Sequence, residues 1–157
     1  MTDVDVLFHA RGHAAAALGM AGEQDIRLTL ITTPDAARFA GPTYLAGALT
    51  RARAAHPGAQ ARAWIDCRGD AGLVLRAIKA GWRHVVFTGH KTVMGRVQDI
   101  CDQQGVEIRS HKDMAGHAIG AFVPADTPDV RPGMRDYFMA RRDASEGGTG
   151  KKARMRS

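Results

Sequence analysis

Apolar runs and helical repeats alternate between residues 26 and 109. Ile26-Arg27-Leu28-Thr29-Leu30-Ile31 has strand character and ends at Thr32-Thr33-Pro34. From Pro42, a residue suited to a first helical turn, Leu45, Ala48, Leu49 and Ala52 share one face at i, i+3, i+4 and i+7. His56-Pro57-Gly58 stops that helix. Ala61 to Asp66 reads as a second strand with Trp64 in its middle. Asp70 caps a helix whose inner face is Leu73, Val74, Ala77 and Ile78, with Gly81 past its end. His84-Val85-Val86-Phe87-Thr88 is a third strand, apolar enough to be buried on both faces. A helix from about Thr92 to Gln104 turns Val93, Val97, Ile100 and Cys101 inward. Gly105 closes it, and Val106-Glu107-Ile108 gives a last short strand.

This order predicts an α/β fold of three layers. A mostly parallel sheet of about four to five strands carries helices on its faces, and each crossover is right-handed. On the flanks, Val4 to Phe8 reads as another strand and the alanine-rich stretch from His9 to Ala21 as a short helix. Ala118 to Val123 reads as an edge strand before Pro124, and residues 133–142 as a short helix around Tyr137, Phe138 and Met139. Residues 1–130 are expected to form one domain, firmest at 26–109. Residues 131–157 are expected to be a flexible basic extension, disordered from about 145.

Composition changes this picture little. With 45% hydrophobic and 24% charged residues in 157, the chain lies in the globular range and suits one core. Charges at Arg27, Arg76 and Arg83 break every candidate membrane span, so no membrane association is expected. The acidic start Met1-Thr2-Asp3-Val4-Asp5 lacks the basic region of an export signal, and two cysteines are too few for a disulfide framework. A cytoplasmic location fits both. The net charge of +6 is unevenly spread: residues 1–130 hold 14 Lys/Arg against 13 Asp/Glu, and residues 131–157 hold 8 against 3. The basic character belongs to the tail, where Lys151-Lys152-Ala153-Arg154-Met155-Arg156 offers electrostatic affinity for nucleic acid or an acidic partner. No aromatic residue follows Phe138 to stack on bases.

Ligands of open parallel sheets bind beyond the carboxyl ends of the strands, which selects three loops. These are Thr32-Thr33-Pro34-Asp35, Asp66-Cys67-Arg68-Gly69-Asp70 and Thr88-Gly89-His90-Lys91-Thr92. In the third, a strand runs into a helix start beside a lysine, so free N–H groups and a cation favour an anion. The pattern of a P-loop is incomplete, because Val85 occupies the place of its earlier glycine. Without an anion, Lys91 is a solvated lysine and Thr92 a helix cap.

In the second loop, Cys67 stands between a strand and a helix with Arg68 beside it, an arrangement that allows a nucleophilic thiol. Cys67-Arg68-Gly69-Asp70-Ala71-Gly72, a helix, and then Ala80-Gly81-Trp82-Arg83-His84-Val85 resembles the active-site unit of rhodanese-type sulfurtransferases. The resemblance covers about twenty residues and implies that Cys67 carries sulfur. The loop is shorter than the family's six-residue cradle, and the family's upstream Asp-Val-Arg strand motif is missing. The bland alternative is a small buried residue at a strand end. Asp66 and Asp70 are candidates for Mg²⁺ or acid–base work, with Asp70 also a plain helix cap. His9 and His13 share a helix face, but no HExxH pattern or CxxC accompanies them, so no metal site is expected.

The leading expectation is a small ligand- or partner-binding protein holding an anionic or phosphorylated molecule. Its site would use Asp66, Arg68, Thr88, Gly89, His90, Lys91 and Thr92. A Cys67-dependent, sulfurtransferase-like transferase and an adaptor acting through the basic tail are the rivals. No motif names a cofactor or an oligomeric state.

Overall fold

The computed structural model describes residues 2–124, 127 and 129–154, with backbone alone at 11, 118–120 and 147–154. Five strands form where apolar side chains alternate or cluster: β1 (Thr2–Phe8), β2 (Ile26–Thr32), β3 (Gln60–Asp66), β4 (His84–Val86) and β5 (Glu107–Arg109). They lie in the order β1-β2-β3-β4-β5 and every neighbouring pair is parallel. Val4 faces Leu28, Leu30 faces Ala63, and Val85 faces both Ile65 and Ile108.

Helices α1 (Arg11–Gln24), α2 (Ala36–Phe39), α3 (Pro42–Ala55), α4 (Ala71–Lys79) and α5 (Lys91–Gln104) fill the connections. Every crossover steps one strand in the same direction. Right-handed crossovers of that kind place all their helices on one face. The core agrees. Val4, Val6, Phe8, Leu28, Leu30, Ile65 and Val85, all on one side of the pleat, are packed with Leu18 of α1, Leu45 and Leu49 of α3, Val74 of α4 and Val97 of α5. Buried Ala14, Ala17 and Ala21 let α1 sit close to the strands.

The opposite face is polar at its lower end, with Asp3, Arg27 and Arg62 exposed. Near the strand ends it turns apolar, where Ile31, Trp64 and Val86 form a separate small cluster with Met114. Met114 belongs to α6 (His111–Gly120), which crosses this face and supplies the thin third layer. After it, Phe122 pairs in parallel with Val6 beside β1. Helix α7 (Arg131–Arg154) then buries Met134 and Phe138 in the main core.

Three readings of the pattern change. Residues 118–123 are the end of α6 and a one-residue bridge at Phe122, not an edge strand. The expected helix at 133–142 lies in the first half of a longer helix, α7. Val93, expected inward, is 37% exposed because it sits in the first turn of α5, above the level of the core.

Candidate functional site at the carboxyl rim of the sheet

With all strands parallel, the loops after β2, β3 and β4 leave the same edge, and hydrogen bonds join them. The buried Thr32 hydroxyl at the end of β2 accepts from the Asp66 N–H at 2.8 Å. Asp66 Oδ1 accepts from the Arg68 N–H at 2.9 Å. The Arg68 carbonyl in turn accepts from the Thr88 N–H at 3.0 Å. Gly69 allows this closeness, since a Cβ there would stand 3.1 Å from the Thr88 carbonyl oxygen; within the third loop, a Cβ at Gly89 would stand 2.9 Å from the Phe87 ring. The backbone is also strained here. Asp35 (φ 70°) and Arg68 (φ 53°) adopt left-handed conformations, each costing about 1 kcal/mol for a residue with a Cβ. Arg68 Nε faces Asp35 Oδ1 at 3.9 Å, an exposed and therefore weak pairing.

A fourth contributor comes from the far side of the sheet. His111 opens α6, whose amino end carries a reciprocal cap: Ser110 Oγ accepts from the Asp113 N–H at 3.1 Å, and Asp113 Oδ2 accepts from the Ser110 N–H at 3.2 Å. That placement puts His111 Nε2 2.7 Å from Asp66 Oδ1 and its Nδ1 2.7 Å from Thr88 Oγ1. The His111 N–H also donates to Thr88 Oγ1, at 3.0 Å. A carboxylate can only accept, so the Nε2 contact needs a proton on that nitrogen, and in the neutral ring Nδ1 then accepts from the Thr88 hydroxyl. The Asp66 side chain is 9% exposed and the imidazole 33%. Thr88 itself is exposed.

The remaining expected residues divide between this rim and other tasks. His90, Lys91 and Thr92 are exposed at the start of α5, with His90 in the cap position, its side chain making no capping bond. The N–H groups from Gly89 to Val93 meet no acceptor among the described residues. Asp70 is occupied as the cap of α4, accepting from the Leu73 N–H at 3.1 Å. Asp66 and Asp70 therefore serve different partners. Among the described residues, no three histidine, cysteine or carboxylate side chains gather in a way that could hold a metal ion.

Cys67 points away from the rim into the main core and is fully buried. Burial, with Asp66 and Asp70 adding to it, pushes its thiol up to about 12. It is a thiol, not a thiolate, near neutral pH, so the sulfurtransferase-like alternative would need this part of the core to open.

Three cavities lie elsewhere. One of about 740 Å³ runs between α1 and the start of α7, past His13, His56 and Arg131. One of about 700 Å³ lies on the polar face beside Asp5, Arg62 and His117. The third, about 320 Å³, lies beside Trp82 and α3. None of these three is lined by the loops after β2, β3 and β4.

His111 is the site residue that the strand-and-helix pattern does not reveal. Its signal was the Ser110-x-x-Asp113 spacing, which announces a helix start immediately after β5. Comparison of the chain with protein-family models and with curated proteins finds no match.

Proposed function

We propose that the protein binds a small anionic or phosphorylated molecule on this rim. The observation that carries the reading is the hydrogen-bonded joining of the loops after β2, β3 and β4 beside the open amino end of α5. Free N–H groups and the positive end of a helix favour negative charge, and Lys91 and Arg68 add two exposed cations. Sequential strand order gives no interior crevice where the order reverses, the usual binding place in doubly wound sheets. Here α6 supplies the missing wall, since His111 reaches over the ends of β3 and β4.

Thermal unfolding with inorganic phosphate tests this. A ligand at a hundred times its Kd stabilises the folded chain by about 2.7 kcal/mol. Phosphate should raise the Tm of the wild-type chain, and Lys91→Ala should remove most of that rise. A rise that persists unchanged in Lys91→Ala counts against the α5 end as the anion's seat.

A further inference from the structure

We infer that the rim is reactive as well as receptive: Thr88, His111 and Asp66 form a hydroxyl–imidazole–carboxylate relay with Thr88 as nucleophile. The inference rests on the rim being the ligand site and adds chemistry to it. Both ring nitrogens of His111 are engaged at 2.7 Å, one by the buried carboxylate and one by the exposed hydroxyl. The order runs from buried to exposed, so the carboxylate holds the ring in one tautomer while the hydroxyl stays open to a substrate. An anchor for α6 would not require the imidazole to return to Thr88, because Ser110 and Asp113 already cap that helix.

Thr88 also stands in the strand-to-helix connection, two residues after β4 ends and three before α5 begins. The N–H groups from Gly89 to Val93 are unpaired among the described residues and are available to stabilise negative charge on a substrate. The substrate class this suits is a small acyl ester or thioester carrying an anionic group for the end of α5.

In the acylation step Thr88 Oγ1 attacks the acyl carbon as its proton passes to His111 Nδ1. The new C–Oγ bond forms, the bond from carbon to the leaving oxygen or sulfur breaks, and His111 returns the proton to the leaving group. A water then gives a proton to Nδ1 and attacks the acyl carbon. Thr88 Oγ1 leaves and recovers its proton, so ester and water become acid and alcohol. His111 is the general base. Asp66 is a positioning residue.

The test uses the full chain with two chromogenic esters, neutral 4-nitrophenyl acetate and anionic mono(4-nitrophenyl) succinate, and locates the acyl group by peptide mass analysis. The wild-type chain should be acylated on Thr88, at a rate that rises with pH along one imidazole ionisation. Thr88→Ser should retain acylation at that position, and Thr88→Val should lose it. His111→Gln should slow it at least about a hundredfold, within the usual worth of a general base, and flatten the pH profile. Asp66→Asn should slow it and alter the pH profile. Acylation confined to lysines, or acylation of Thr88 equally fast in His111→Gln, overturns the relay. If phosphate protects the chain but Thr88 is never acylated, the relay is wrong and the binding site stands. Should Thr88 react with no preference for the succinate and no loss of rate in Lys91→Ala, the anionic substrate class is wrong and the relay stands.

Discussion

The two most reactive kinds of side chain near the rim, an imidazole and a thiol, are in opposite situations. His111 is part-exposed and bonded at both nitrogens, whereas Cys67 is shut into the core beneath it. The thiol's high protonation range follows from burial first and from neighbouring carboxylates second. In the native chain at pH 7.5, Cys67 should resist iodoacetamide, and it should be alkylated once guanidinium unfolds the protein. Stoichiometric labelling of native Cys67 within minutes would show that the core opens there, and would return the thiol to consideration as a nucleophile. Residue-level reading of the sequence placed Asp66, Arg68 and Thr88 at the carboxyl edge of the sheet because they close or follow strands. It could not place Cys67, since a residue at a strand end faces the core or solvent according to pleat and turn geometry that the loop's composition does not determine. His111 was missed for a related reason: its partners lie 23 and 45 residues away, and no local periodicity encodes such contacts.

Among the elements, the amphipathic helices α3, α4 and α5 were legible because each has one apolar face matched to a sheet. Helix α1 is rich in alanine and glycine, and its stabilising contacts come from close approach, not from a strong apolar stripe. It carries one polar oddity, His13, 8% exposed, whose Nδ1 accepts from the His9 N–H at 3.4 Å, a long bond. Burial first, and the nearby His9 second, lower its affinity for a proton below the ordinary value of 6.5. A histidine depressed in the folded state is more easily protonated when unfolded. Its contribution is therefore complete above about pH 6.5 and is lost as pH falls below that value. His84, lowered chiefly by burial against the partial opposition of Glu107, acts in the same direction. The urea midpoint of the wild-type chain should fall between pH 7.5 and 5.5, and in His13→Gln it should fall less. An equal fall in both proteins would remove His13 from the account. Helix α6 shows the limit of periodicity: its single buried methionine, Met114, seats it on a small patch, and no repeat is needed for that.

For the whole molecule, parallel topology was the part of the fold that the sequence conveyed best, because strand and helix segments alternate with connections too long for hairpins. Strand order was not legible. The observed sequential order crowds five connecting helices onto one face and leaves the other to α6 and solvent, an asymmetry that no single segment records. Among the described residues, no helix is long and apolar enough to cross a membrane. The functional account depends on α6 returning over the strand ends so that loops distant in sequence share one binding surface. The most direct measurement is an amide ¹H–¹⁵N correlation spectrum titrated with inorganic phosphate. Shifts should concentrate at Arg68, at Gly89 to Val93 and at His111, and saturate together with a single Kd. If the shifts gather instead around His13, His56 and Arg131, in the larger groove between α1 and α7, the rim is not the ligand site.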